Sequence, residues 1–577
     1  MTTNITTNII GIDLGTSHSS LAVSNGEQTS LVAIPQLSGA HETVTDALFP
    51  SAYFHNQEYQ NLSLPWDQNP PLLGRWARDL ALTNPERAIL SAKSWLCYKG
   101  DLRLPPRAEW QGLTAKEVST LFLSHLMKAF EYQTGAGPEH ITKVAITVPA
   151  SFDPMARQLT EEAAIAAGIK EPLLIEEPLA AFYAWLAHNP DWNKQLKTGD
   201  SVLVCDVGGG TSDFSLIVVS EEPDSGELRL DRIAVGRHLL LGGDNMDLAL
   251  AHSLQAKQGE LDHWQFISLQ QQVRKAKEFL LSPGDEPTYP ISITGRGSSL
   301  FAQTLRLDVS REDIAELIVN GFFPHVDALA SPRRSSGLQT IGLPYEHDPA
   351  ITKHLACFLR QASVNTQGEG KIFKPSHILF NGGVFKAPIL QKRVIECVKE
   401  WNESNLTVLK NPDLDHAVTL GAAHYAALKV SGQKLRVRTA ASRSYYIGLE
   451  SNQLAIPGIK PKVQGLCVLP QGAEEGSAFE LSQQEFALWG GEHVSFQLFA
   501  SEARADLGTL ISDAEKDLEA VSSLACQIDD NGQGPIPVFL QTDYDETGKL
   551  RIAMRESSGP RHWDLNFQLR EDSDIKK

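Results

Sequence analysis

Two stretches of this chain, starting at Ile10 and at Val204, carry the same arrangement: Ile10-Gly11-Ile12-Asp13-Leu14-Gly15-Thr16-Ser17 and Val204-Cys205-Asp206-Val207-Gly208-Gly209-Gly210-Thr211-Ser212-Asp213. In each, an apolar strand runs into an aspartate, then into glycines and a hydroxyl residue, and then into a second apolar run, Ser20 to Val23 or Phe214 to Val219. Such a hairpin has a tip suited to phosphate. Glycines let backbone N–H groups approach an anion, the hydroxyl adds a donor, and an aspartate at the strand end can hold magnesium through its water shell. Two such tips at corresponding places in two halves predict a duplicated fold that closes on a nucleotide from both sides.

A chain of 577 residues exceeds one core, and the usual size range predicts about three or four folding units. The net charge of −19 excludes a nucleic-acid partner, since a phosphate backbone is gripped by basic clusters. No apolar run approaches the roughly 18 residues of a membrane span, and Met1-Thr2-Thr3-Asn4-Ile5 lacks the basic and apolar segments of a signal peptide. The expectation is a cytoplasmic protein without a membrane partner. The 6 cysteines are scattered without a C-x-x-C pair, so neither a zinc site nor a disulfide framework is expected.

Along the chain, Thr114 followed by Ala115-Lys116-Glu117 forms a capping-box sequence and predicts a helix to about Gln133. A strand is expected over Lys143–Val148, a helix over Met155–Ala167 closed by Gly168, and strands over Leu173–Ile175 and Ser201–Cys205. An amphipathic helix follows around Ser268–Leu281, the stretch from Ser331 to Pro349 reads as an inserted surface loop, and Ser376–Phe380 reads as a strand before Asn381-Gly382-Gly383. Alternation of this kind predicts an α/β architecture with a buried sheet. After about Val430 the texture changes to short alternating runs, at Ser444–Leu449, Val494–Phe499, Val538–Tyr544 and Leu550–Met554, the last two flanking the turn Asp545-Glu546-Thr547-Gly548. Only Leu507–Leu524 looks helical there. The expected division is a nucleotide-binding domain over 1–430, with lobes meeting near 200, a linker over 431–443 and a smaller, mainly β domain over 444–570.

The two tips, together with Ala92-Lys93, Ile146-Thr147-Val148-Pro149-Ala150, Glu177-Pro178-Leu179-Ala180-Ala181, Leu241-Gly242-Gly243-Asp244, Asn381-Gly382-Gly383 and Gly421-Ala422-Ala423, occur in an order that resembles the heat shock protein 70 chaperones of the DnaK type. The resemblance covers the first 430 residues and continues more loosely beyond them. It implies an actin-like, two-lobed ATPase followed by a sandwich-like β domain that grips peptide, ending about where the family's helical lid would begin. It also implies ATP or ADP with Mg2+ as cofactors, with Asp13 and Asp206 holding the hydrated ion. Gly15, Thr16, Ser17, Gly208, Gly209, Gly210 and Thr211 would cradle the phosphates. Lys93 would orient the attacking water, with Glu177, Thr211 and Asp206 completing the catalytic set, because phosphoryl transfer depends on charge placed around the transferred group. Gly242, Gly243, Lys277, Gly382 and Gly383 would line the nucleoside side, and Pro149 and Arg157 would relay nucleotide state to the β domain.

The expected function is an ATP-dependent chaperone whose β domain binds a polypeptide client. The alternative is a nucleotide-dependent assembly protein with one dedicated protein partner. The sequence departs from the family pattern in three places: Arg274 and Glu278 exchange the usual charges of the adenosine-facing helix, and the linker is basic at Lys434-Leu435-Arg436-Val437-Arg438 where the family's is acidic and leucine-rich. Glu176 and Leu173 stand where DnaK-type chaperones have the asparagine and basic residue that meet a J-domain co-chaperone. Weak coupling and non-standard J-domain docking are therefore expected.

Overall fold

The computed structural model describes residues 8–568 apart from 99–101, 105–111, 151, 223–224, 238, 294–304, 334–345, 368–370, 403–404, 412, 434–436, 442, 451–461, 483, 490, 502, 529–534 and 546–547. Lobe I runs through β1 (Asn8–Asp13), β2 (His18–Ser24), α1 (Gly74–Ala81), α2 (Ala92–Trp95), α3 (Ala115–Thr134), β3 (Ile141–Val148), α4 (Pro154–Ala166), β4 (Leu173–Glu176) and α5 (Glu177–His188). Lobe II continues with β5 (Ser201–Val207), β6 (Ser212–Glu221), β7 (Leu228–Val235), α6 (Gly243–Gln258), α7 (His263–Leu281), β8 (His377–Asn381) and α8 (Ala417–Ser431).

The two lobes repeat one topology. In lobe I the β1–β2 hairpin places Asp13 opposite Ser20, and β3 and then β4 are added in parallel on the β1 side. In lobe II the β5–β6 hairpin places Asp206 opposite Asp213, with β8 and then Thr407–Leu409 added in parallel on the β5 side. A strand extends each hairpin on its far side, Thr29–Leu31 in lobe I and β7 in lobe II. Duplication therefore sets the two aspartates at equivalent strand ends.

Local chemistry fixes the helices. Thr114 and Glu117 make the reciprocal capping box that starts α3, and Gly135 at φ +69° ends it. In α4, Asp153 accepts the Ala156 N–H, Pro154 occupies the first turn, and Gly168 at φ +88° lets the chain turn away. The lobes are joined by a shared core in which Ile9 and Ala145 of one sheet meet Val202, Val204 and Leu379 of the other around Phe182, Trp185 and Tyr425. Small residues make this seam possible. A Cβ at Gly421 of α8 would lie 1.8 Å from the Ala180 carbonyl oxygen of α5, and one at Gly11 would lie 2.3 Å from the Ala423 nitrogen.

Beyond α8 the chain does not hang free. β9 (Val437–Arg438) adds in parallel to β7, pairing Val437 with Leu230 and Arg438 with Asp231. The Val437 N–H donates to the Tyr183 hydroxyl at 3.0 Å, and Arg438 bonds Glu222 at 2.8 Å. A basic linker thus finds an acidic receptor. The remainder of the basic run, Lys434 to Arg436, lies outside the described residues.

The C-terminal unit contains β10 (Ser444–Glu450), β11 (Val463–Leu469), β12 (Gly491–Ser501), β13 (Glu519–Ile528), β14 (Ile536–Tyr544), β15 (Leu550–Glu556) and β16 (His562–Gln568). With three shorter strands they form one ten-stranded sheet, in the order Ser477–Glu480, β14, β15, β16, β13, β12, β10, β11, Leu510–Ile511, with Phe486–Leu488 also on β14. β11 packs against β14 although they are far apart in that order, so the sheet curls over Leu466, Leu498, Leu540 and Ile552. The helix expected over Leu507–Leu524 is not formed. Leu510–Ile511 and β13 are strands, separated only by the short helix Ala514–Asp517. The spacing of Leu507, Leu510, Leu518, Val521 and Leu524 imitates a helical stripe, but β13 pairs along most of its length with β12, and this pairing outweighs local pattern.

Candidate functional site

Asp13 and Asp206 sit at the ends of β1 and β5, where the two hairpin tips approach each other. A Cβ at Gly209 would come within 2.1 Å of the Ser17 Oγ, and one at Gly210 within 2.6 Å of the Thr16 Cγ2. Only glycine permits tips from opposite lobes to meet this closely. Gly242 and Gly243 stack behind the second tip, since the Gly243 N–H donates to the Gly208 carbonyl at 3.0 Å and the Asp244 N–H to the Gly209 carbonyl at 2.7 Å. Gly382, at φ +86°, passes Asp206 so closely that a Cβ would lie 2.7 Å from its Oδ1, whereas the space around Gly383 is open.

The centre is a crowd of carboxylates. Lys93, on α2 and only 3% exposed, donates to Glu177 at the start of α5. Thr147 Oγ1 donates to Asp13 Oδ1 at 2.7 Å, and Asn381 Nδ2 donates to Asp206 Oδ2 at 3.0 Å. Burial raises the Asp13 carboxyl to about 6, against the opposing pull of Lys93. Burial and then the Glu177 carboxylate raise Asp206 to about 7. Three acids around one ammonium are short of positive charge. A divalent cation held by Asp13 and Asp206 would supply the charge this donor set lacks, and two carboxylates, with the rest of the shell left to water, suit hydrated Mg2+. Thr211 is buried at the second tip, its carbonyl accepting the Gly208 N–H at 2.9 Å.

Behind the second tip, Lys277 bonds Asp247 at 2.7 Å and the Gly243 carbonyl at 3.0 Å. Arg274 reaches Asp247 at 2.8 Å and also Asp244. The exchanged charge thus has a local use: Arg274 ties α7 to the start of α6, while Glu278 points to solvent. The structure brings the two glycine tips, Gly242, Gly243 and Gly382, the acids Asp13, Asp206 and Glu177, and the ammonium groups of Lys93 and Lys277 into one neighbourhood. Arg157 faces the β domain, where Gly548 comes close to its guanidinium, and Pro149 precedes α4, its carbonyl accepting the Phe152 N–H at 3.1 Å.

Sequence reasoning missed several groups. His416, just before α8, donates or accepts through Nδ1 with Asp413 at 2.8 Å, and its buried Nε2 has no partner among the described residues. It lies within electrostatic range of Asp13. The Asp-x-x-His spacing was its only sequence signal. His18, directly after the first tip, accepts from Arg78 of α1 at 3.2 Å, and burial with the nearby Arg78 and Arg274 charges holds its imidazole down to about 4.

A family model described as "Hsp70 protein" matches residues 9–326. A protein named "Chaperone protein DnaK" from Thermoplasma volcanium is 32% identical over 323 residues, 54% of this chain and 46% of that protein. The chain therefore spans about half the length of this curated relative.

Proposed function

The chain belongs to the Hsp70 family, and on that footing we propose that its two lobes bind Mg2+-ATP, hydrolyse it, and thereby alter the affinity of the C-terminal β domain for a polypeptide. The observation that carries this reading is the meeting of the two glycine tips over Asp13, Asp206 and the Lys93–Glu177 pair. Such a cleft has backbone donors for phosphate, acids for a hydrated cation, and a buried ammonium beside both.

In this mechanism the backbone of Gly15–Ser17 and Gly208–Thr211 binds the phosphates, and the glycines permit contact too close for any side chain. Asp13 and Asp206 hold the ion, which supplies positive charge against the transferred phosphoryl group when bound. Glu177 fixes the Lys93 ammonium, which then orients water toward the terminal phosphate together with the Thr211 hydroxyl. Lys277, Gly243 and Gly383 border the nucleoside. The nucleotide state reaches the β domain through Pro149, Arg157 and the strand that the connector adds to lobe II.

Single-turnover hydrolysis of ATP, combined with capture of bound proteins in ATP and in ADP, tests the reading. Hydrolysis and a nucleotide-dependent set of many unfolded chains support a chaperone. One recurring folded partner supports the assembly protein, and an absence of nucleotide binding by calorimetry removes both.

A further inference from the structure

Two polar side-chain atoms beside the cleft are buried and have no hydrogen-bond partner among the described residues: Asn381 Oδ1 and His416 Nε2. Folding has removed both from water. Such atoms are few in native proteins, because each forfeits a hydrogen bond to solvent, and they recur where an ordered water or an ion belongs. Here one stands beside each of the two cleft aspartates.

Asn381 ends β8, in parallel register with Asp206 near the end of β5, and is 1% exposed. Its Nδ2 donates to Asp206 Oδ2 at 3.0 Å, which fixes the amide and leaves Oδ1 as an acceptor. The counterpart at Asp13 comes from the start of α8, whose first turn lies on the β1–β2 hairpin. Ser20, the cross-strand neighbour of Asp13, bonds Thr419, and a Cβ at Gly11 would lie 2.6 Å from the Thr419 carbonyl oxygen. His416 precedes Thr419 by one helical turn and lies within electrostatic range of Asp13. Asp413 meets its Nδ1 at 2.8 Å. A carboxylate accepts, so Nδ1 carries the proton, and in the neutral ring Nε2 is then an acceptor as well.

Two orphaned acceptors call for donors that point outward from the cleft centre. The protein's own donors there are committed, since Lys93 bonds Glu177 and the Thr147 hydroxyl bonds Asp13. Among the described residues no three His, Cys, Asp or Glu side chains are grouped so as to hold an ion directly. Mg2+ sheds its water reluctantly, so its shell here would remain largely water, and every metal-bound water presents hydrogens that need acceptors. Neutral acceptors suit this place better than further acids would. They hold water without adding negative charge to a cleft that must also admit phosphate.

We propose that Asn381 Oδ1 and His416 Nε2 are outer-sphere acceptors for the hydrated cation, the first beside Asp206 and the second beside Asp13, with Asp413 fixing the imidazole. This rests on the nucleotide reading above. Both are positioning residues: they act on the ion through its water.

The test is calorimetric titration of ADP into the full chain in EDTA, in Mg2+ and in hexaamminecobalt(III), whose bound ammonia donates outward and cannot be displaced. The quantity read is the ratio of ADP affinities with and without the metal, so a change in nucleotide contact alone cancels. In the parent both ions strengthen ADP binding. His416→Phe, which keeps a ring and removes the acceptor, and Asn381→Val each lower the ratio by about tenfold or more, the usual loss for an outer-shell partner of a metal. His416→Gln, which retains an acceptor, recovers most of it. Denaturant melts in EDTA establish that each variant folds, and the parent's response to hexaamminecobalt(III) decides the outer-sphere point without any substitution. Folded variants at both positions with the parent's ratio overturn the proposal. So does a parent whose ADP binding is strengthened by Mg2+ and not by hexaamminecobalt(III), which would mean direct coordination, or one that binds ADP with no response to either ion. A parent that binds no nucleotide overturns the functional reading instead.

Discussion

Replacing Lys93 with methionine keeps the length of the side chain and removes the only cation bonded to these carboxylates among the described residues. Lys93 opposes the rise of both Asp13 and Asp206, so its loss pushes two already raised carboxyls further up. The sign follows from comparison with the unfolded value of 3.8. A carboxyl raised to about 6 or 7 in the fold costs the unliganded protein stability as pH climbs from about 4 to about 7, and that cost is constant above. Breaking a buried pair by removing one partner costs about 3–5 kcal/mol, and protonation of an orphaned acid limits the loss. The expected deficit of Lys93→Met without ligand is therefore about 2–4 kcal/mol at pH 8 and less than about half of that at pH 6, where the further-raised Asp13 and Asp206 of the variant take up protons. Mg2+-ATP brings its own cation and shrinks the deficit. Hydrolysis falls by about 100-fold or more, the usual loss for one preorganised charge. Denaturant unfolding at both pH values, with and without Mg2+-ATP, and single-turnover hydrolysis measure all three quantities. A variant equally stable as the parent at pH 8 that also hydrolyses normally would refute the assignment.

Mg2+-ATP at about a hundred times its dissociation constant should stabilise the parent by about 2.7 kcal/mol, read as a shift in unfolding temperature. Thr211→Ala is expected to bind ATP and to lose about 100-fold in hydrolysis, separable by calorimetry and single-turnover rates. His416→Ala removes an imidazole whose buried Nε2 has no partner among the described residues; the expected result is an altered nucleotide affinity with the fold intact, and an unchanged affinity would place the Asp413–His416 pair outside the site. Gly421→Val forces a side chain against the Ala180 carbonyl and should cost more than about 3 kcal/mol or prevent folding, as seen in denaturant melts. Arg438→Glu sets like charges beside Glu222, and the double variant with Glu222→Arg should recover about 0.2–1 kcal/mol of connector protection, the range for exposed pairs.

The duplicated tips were legible in the sequence because the chemistry of phosphate and magnesium demands glycine, hydroxyl and aspartate within a few residues at each one. The pairing of Asp13 with Ser20 and of Asp206 with Asp213 follows from hairpin geometry alone. Lys93 carries no such local signal, since an Ala-Lys dipeptide on a short helix is ordinary; only its place in the resemblance singled it out. The stretch from Leu507 to Leu524 misled because an apolar residue every third or fourth position suits either a helix or strands broken by turns. Glu176 drew attention only as a departure at a co-chaperone surface, and its inward pairing was illegible because Arg157 and Arg232 reach it from different lobes through a bulge. Likewise, the basic linker led to an expectation of weak coupling, and its acidic partner Glu222, just beyond the end of β6, was not legible because Arg438 and Glu222 are 216 residues apart in the chain.

The strand that the connector lends to lobe II has a consequence for solubility. While Val437 and Arg438 are paired, the outer edge of β7 is covered at Leu230 and Asp231, and the lobe II sheet ends there in a protected ladder. Once the connector leaves, the same backbone donors and acceptors face water, and a bare edge is a template for any other extended chain, including a second copy of this one. The sequence of β7 guards against that outcome: Arg229, Asp231 and Arg232 fall on three of its first five positions, and charges on an edge strand oppose intermolecular pairing. A form with the connector released would thus be the one at risk of self-association, and the charged edge would oppose it.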